Sequence, residues 1–271
     1  MIRYVVFSDN EAFKLKAFIE RARQFLPSAN FQIVVQCSDE HKKAYELVMT
    51  EMAIPLRGDG MYGVVFVESG QFHRDVTALL KEGKEELVCL ITTDDMLFAP
   101  VDESLIVKEF EDSKLLSFGL RLGKNITRNS MVNMSNKVIP ISENDQTMKW
   151  DWTKHYVDFS APLSVHGHYF RQNEIKKMVR ACKNATSFVE LEEMLQRFMN
   201  YPKQHMASFL ESKAVSINPI FDPVLEKHVK DAFDNGVLKH NNVPIVTDYE
   251  HSMPNELHAP LLEGEIRKAT T

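Results

Sequence analysis

Three cysteines in 271 residues, Cys37, Cys89 and Cys182, are too few, too far apart and too apolar in setting for a disulfide framework or a zinc cluster. Free thiols are expected. No apolar run approaches membrane-spanning length, and Met1 to Phe7 enters a strand-like stretch without the basic and long apolar regions of a secretory leader. The chain is read as soluble and cytoplasmic, with no membrane span. Positive charge is also lacking: 32 Lys and Arg against 38 Asp and Glu give a net charge of -6, which argues against clinging to nucleic acid through its phosphates. Missing too are Gly-x-Gly-x-x-Gly and Gly-x-x-x-x-Gly-Lys-Ser/Thr, the glycine cradles that hold the phosphates of dinucleotides and triphosphates. Internal repeats and low-complexity linkers are absent as well.

What is present is a folded composition, 44% hydrophobic and 26% charged. The first hundred residues alternate in type. Tyr4 to Phe7, Phe31 to Val35, Gly63 to Val67 and Leu87 to Ile91 read as strands. Between them, Glu11 to Leu26, Asp39 to Met52 and Phe72 to Leu80 carry apolar residues at helical spacing. Continuous apolar strands between amphipathic helices imply a parallel sheet covered on both faces. Further on, Asn173 to Lys183, Phe188 to Met199 and Asp222 to Phe233 read as helices, the last ending near Asn235-Gly236, and Ala214 to Ile217 as a strand. Asn255 to Ala269 reads as a final helix or loop, and Glu190-Leu191-Glu192-Glu193 as the wet face of a helix.

One stretch nominates a site. Leu87 to Ile91 is apolar, passes through Thr92-Thr93 and ends in two adjacent carboxylates, Asp94-Asp95, before Met96-Leu97-Phe98 turns apolar again. Burying an unpaired carboxylate is expensive, so charge at a buried strand's tip calls for a cation or a hydrogen-bonding ligand. In open α/β sheets ligands gather beyond the carboxyl ends of the strands. Ser8-Asp9, Ser38-Asp39 and Thr93-Asp94-Asp95 all follow strands and are expected along one rim. A divalent metal held by carboxylates could bridge to a diphosphate there.

At this point the residues resemble the nucleotide-sugar-dependent glycosyltransferases of GT-A fold, whose strand-borne Asp-x-Asp (DXD) motif holds a metal against the donor. Phe118 to Ile126, Pro162 to Arg171, Phe188 to Glu192 and Ser212 to Pro219 resemble, in order, segments of a subgroup found in bacteria and large viruses. The chain departs from it at Thr93 and at His166, where acids are expected. The resemblance implies a Rossmann-like, mostly parallel central sheet flanked by helices, with a donor half over residues 1–100 and an acceptor-binding half over 101–271 of a single domain. It implies a hexosyl- or pentosyltransferase that moves sugar from a nucleotide diphosphate sugar, UDP-linked, to a glycan or other hydroxyl acceptor.

Roles follow from that chemistry. Asp95, with His168 as a further ligand, would hold Mn2+ or Mg2+ against the growing charge of the leaving diphosphate. Asp94 would accept from ribose or donor-sugar hydroxyls, Asp39 would receive base or ribose, Ser8, Asp9 and Ser38 would line the same pocket, and Arg74 would meet phosphate. For an inverting reaction, Asp158 and His166 are the candidates to take the acceptor's proton. Trp150, Trp152, Tyr156 and Phe159 form either an acceptor platform or part of the core. The other readings are a silent glycan- or nucleotide-binding relative and a metal-dependent nucleotidyltransferase.

Overall fold

A computed structural model of the chain describes residues 2–54, 62–67, 70–82, 85–129, 134–135, 137–198, 201–217 and 258–259. The sequence-based elements at Asp222 to Phe233 and Asn235-Gly236 lie outside those residues, as does most of Asn255 to Ala269. The strands are β1 (Ile2–Asp9), β2 (Asn30–Gln36), β3 (Tyr62–Phe66), β4 (Leu87–Thr92), β5 (Asp95–Leu97), β6 (Leu115–Gly119), β7 (Arg128–Asn129), β8 (Met134–Ser135), β9 (Ser142–Glu143), β10 (Thr147–Asp151), β11 (His168–Arg171), β12 (His205–Phe209), β13 (Ala214–Ile217) and β14 (His258–Ala259). The helices are α1 (Ala12–Phe25), α2 (Asp39–Glu51), α3 (Phe72–Glu82), α4 (Glu103–Glu109), α5 (Gln172–Ala181) and α6 (Phe188–Leu195).

Nine strands make one sheet in the order β3-β2-β1-β4-β11-β6-β12-β10-β9. The pairings of β3, β2, β1 and β4 are parallel, β11 runs against both β4 and β6, and β10 runs against β12 and β9. Only β10 and β11 therefore oppose the other seven, and the sheet is mostly parallel. A smaller sheet, β14-β13-β5, lies beside it.

The apolar runs of the central strands have a simple cause. Tyr4 and Val6 of β1, with Cys89 and Ile91 of β4, join one core cluster, while Val5, Phe7, Val88 and Leu90 join a second on the opposite face. Helix α1 covers the first face through Phe13, Ala17, Phe18 and Ala22. Val76 and Leu80 of α3, Ile175 and Val179 of α5, and Leu191 and Leu195 of α6 cover the second. Both faces being dry, a strand that alternated apolar with polar residues would expose nothing and bury its polar half at a cost.

Cys89 and Cys182 are buried and Cys37 is half-buried, and no disulfide joins them. No helix among the described residues is long and apolar enough to cross a membrane.

The order of the strands locates a crevice. From β1 the chain moves outward to β2 and β3, then returns to place β4 on the other side of β1. The direction of progression reverses between β1 and β4, and the connecting helices lie on opposite faces: α1, which leaves β1, packs in the first core cluster, and α3, which leads into β4, in the second. Such a reversal opens a gap beyond the carboxyl ends of the two strands, where ligands of open α/β sheets bind.

Candidate functional site

On the β1 side of the crevice the chain leaves the sheet through Asp9 and Asn10. Asn10 has φ +52°, a left-handed conformation that asparagine tolerates better than most residues. Its amide donates to Asp9 Oδ1 at 2.9 Å, and its Oδ1 accepts the Ser38 backbone N–H at 2.9 Å, tying the ends of β1 and β2 together. Ser8 does not face the crevice. Its hydroxyl is buried, 2.7 Å from the Tyr45 hydroxyl, and Thr93 Oγ1 donates to it at 3.4 Å. Ser38 and Asp39 are exposed at the start of α2, above β2. Arg74 stands in the first turn of α3, the helix that follows edge strand β3, with its guanidinium 2.8 Å from neighbouring Asp75. Asp9, Ser38 and Asp39 thus share a rim at the ends of β1 and β2.

On the β4 side the two adjacent acids part company. Asp94 stays accessible, its side chain 27% exposed and paired at 2.7 Å with Lys14. Lys14 is buried on α1 between Asp94 and Glu11, which is also at 2.7 Å. Burial alone would lower the Lys14 pKa, but the two carboxylates outweigh it and raise the pKa well above the usual lysine value. Asp94 is therefore anchored by a charge that sequence reading had no reason to place there.

Asp95 turns inward and is 0% exposed. Its Oδ2 accepts from the Thr92 backbone N–H at 3.1 Å and the Thr92 hydroxyl at 3.0 Å. Its Oδ1 accepts from the Ser216 hydroxyl at 2.5 Å and lies 3.5 Å from Arg121 Nε. His166 Nδ1 is 3.2 Å from both oxygens. Burial would raise the carboxyl pKa, yet the charges of His166 and Arg121 and the Ser216 hydrogen bond hold it far below the usual range. Arg121 in turn donates to the Ser216 hydroxyl at 2.6 Å and to the His166 carbonyl at 3.0 Å.

The other nitrogen of His166, Nε2, lies 3.4 Å from Glu192 Oε2. Glu192 Oε1 accepts from the Ser164 hydroxyl at 2.6 Å and the Val165 N–H at 3.3 Å. Desolvation alone would lower the His166 pKa, but Asp95 and Glu192 push it up to about 10, and Glu192 in return is brought down to about 2 against its own desolvation. His166 is thus a cation at neutral pH and holds the proton that a general base would have to accept, so the proton-acceptor role read for it does not suit this arrangement. Glu192 corrects a second reading. The run Glu190 to Glu193 is not one wet face: Glu190 reaches back to the Thr186 N–H at 2.8 Å while Ser187 caps its own N–H at 3.2 Å, and Glu192 points into the site.

Gly167 separates the two histidines with φ +70°, a conformation that costs glycine nothing. The turn leaves His166 at the rim and sends His168 into β11. There His168 Nδ1 is 3.5 Å from the Pro162 carbonyl, and Nε2 faces Gly119 so closely that a Cβ on that glycine would stand 3.0 Å from it. Burial pushes the His168 pKa down to about 4. Buried between the Pro162 carbonyl and Gly119, the ring has the setting of a structural histidine.

Asp158 belongs to another neighbourhood. It lies in a short 3-10 turn, Val157–Ser160, whose Phe159 carbonyl accepts the Trp150 indole N–H at 2.8 Å, near the end of β10 that pairs with the start of β12. The site's carboxylates gather at the opposite end of the sheet. The aromatic group also divides: Trp150, Trp152 and Phe159 are core, and Tyr156 is 80% exposed.

Do these residues suit a divalent cation? Every acceptor position of Asp95 is filled by a donor, a guanidinium stands beside it, and among the described residues no group of three or more His, Cys, Asp or Glu side chains is arranged to hold a metal ion. Neither the Asp95 set nor His168 fits Mn2+ or Mg2+.

No protein-family model and no curated protein sequence matches the chain. Among solved structures it is similar to S. aureus TarS residues 1–349, with a TM-score of 0.47 and 13% identity over 88% of this chain and 65% of that one. The same fragment in complex with UDP gives 0.46 and 12% over the same shares, and a longer TarS structure 0.44 and 13% over 88% and 39%. The chain spans just under two thirds of the TarS fragment.

Proposed function

We propose that the chain is a glycosyltransferase that takes its donor, a nucleoside diphosphate sugar, in the crevice between the carboxyl ends of β1 and β4. The observation that carries this reading is the reversal of strand order at that crevice, with Asp9 on one side and accessible Asp94 on the other. The motif resemblance noted in the sequence supports the same assignment.

In this reading Asp94 accepts hydrogen bonds from ribose or donor-sugar hydroxyls, held in place by Lys14. The exposed end of β2, with Ser38 and Asp39, meets the nucleoside. Transfer breaks the bond between the anomeric carbon and the diphosphate oxygen and forms one to an acceptor hydroxyl, whose proton must leave. Glu192, with its side chain 23% exposed beside His166, takes that proton in place of His166 and Asp158 once it gives up its ion pair with His166, which holds its pKa low in the free protein. The acceptor is a glycan or another hydroxyl compound, the donor base uracil.

The test is a screen of nucleotide sugars for stabilisation and for slow donor hydrolysis. A UDP-sugar should raise the melting temperature and be hydrolysed, and Asp94→Ala should abolish both. Stabilisation by no nucleotide sugar, or transfer unchanged in Asp94→Ala, removes the assignment. One observation favours the silent nucleotide-binding alternative: Asp95 and His166 are so fully engaged with one another that the site is satisfied without substrate. Binding without any turnover in the same screen would select it.

A further inference from the structure

A neutral imidazole carries one N–H, yet both ring nitrogens of His166 face carboxylates, Nδ1 at 3.2 Å from Asp95 and Nε2 at 3.4 Å from Glu192. Only the doubly protonated ring donates to both. Arg121, which is always charged, adds a second cation 3.5 Å from Asp95. Two fixed cations therefore stand against two carboxylates, the same balance that one divalent ion between Asp95 and Glu192 would have struck. A metal entering here would have to expel the Thr92, Ser216 and His166 donors from Asp95 and lie against a guanidinium. Of these groups His166 is the one that reaches the rim: its side chain is 22% exposed, Arg121's 9% and Asp95's 0%.

We propose that the donor's diphosphate is met at the end of β4 by the imidazolium of His166, oriented by Asp95 and Glu192 and backed by Arg121, and that the donor binds with no divalent ion there. This rests on the donor reading above. A diphosphate oxygen takes over the Nε2–H that Glu192 accepts in the free protein, so donor binding releases the Glu192 carboxylate toward the acceptor's hydroxyl. Asp95 acts through His166 and is a positioning residue.

The test uses the full chain and titration calorimetry with UDP and with GDP, first in EDTA and then in excess Mn2+, and with Mn2+ alone. UDP should bind in EDTA with an affinity within about twofold of that in Mn2+, and His166→Gln should weaken it at least about tenfold while the variant keeps the wild-type circular dichroism. UDP binding that strengthens about tenfold or more with Mn2+, or Mn2+ binding alone that Asp95→Asn removes, overturns the inference and leaves the donor assignment standing. So does His166→Gln binding UDP like the wild type in EDTA. Binding of neither nucleotide under any condition overturns both.

Discussion

Asparagine in place of His166 gives the sharpest test of the charged cluster, because its effect should depend on pH in a way that no packing defect reproduces. Against the desolvation of its ring, Asp95 and Glu192 push the His166 pKa from the ordinary 6.5 up to about 10 in the folded protein. Its pKa is raised by folding, so the stability it contributes is complete below about pH 6.5 and is lost as pH climbs toward 10. Each pH unit in that window costs at most about 1.4 kcal/mol by linkage. Solvent reaches a ring that is one-fifth exposed, which reduces the figure to about 1 kcal/mol per unit, or about 3–4 kcal/mol in all, in line with the loss of one partner from a buried ion pair. Urea unfolding of wild type and His166→Asn at several pH values between 6 and 10 reads this directly. Lysines, tyrosines and thiols that titrate in the same range are common to both proteins and cancel in the difference. The variant should be less stable by about 3–4 kcal/mol near pH 6, with the gap closing toward pH 10. A gap that stays constant with pH would show that His166 is not the buried cation described above.

Other expectations concern backbone approach and the rim. Alanine at Gly119 would set a Cβ 3.0 Å from His168 Nε2 and 3.3 Å from Leu122 Cδ1, and should cost about 1–3 kcal/mol in urea unfolding. Alanine at Gly123 would set one 2.5 Å from the Ser212 backbone nitrogen, which cannot swing away as a side chain can, so its cost should exceed that of Gly119→Ala by the same measurement. Lys14→Met leaves Asp94 without its buried partner and should lower UDP affinity about tenfold by calorimetry, whereas exposed Lys42→Met should not change it.

The first half of the fold was legible because each strand there is buried on both faces and each helix on one. The apolar run Leu87 to Ile91 and the stripe from Phe13 to Phe25 could hardly be placed otherwise, and the structure moves their boundaries by a residue or two. The second half was harder. β6, β10, β11 and β12 are four or five residues long and include Ser117, Lys149 and His168, and their partners lie up to ninety residues away. Nothing local announces such pairings.

The rim was legible for the same reason as the strands: Ser38, Asp39 and Asp94 follow apolar runs directly. The chemistry around Asp95 was not. Its partners Arg121, His166 and Ser216 come from three distant segments, and whether an acid at a strand's tip meets a metal or a guanidinium depends on that tertiary convergence. Lys14 was hidden in an amphipathic helix where a lysine normally faces water, and only Glu11 three residues earlier hinted at an ion pair.

Hydrogen exchange of the full chain with and without saturating UDP, followed by mass spectrometry, tests the central claim most directly. Ligand seated in the β1–β4 crevice should slow exchange in peptides covering Asp9 to Glu11, Ser38 to Glu40 and Thr93 to Asp94. Unchanged exchange in all three, with protection elsewhere or nowhere, would contradict the account.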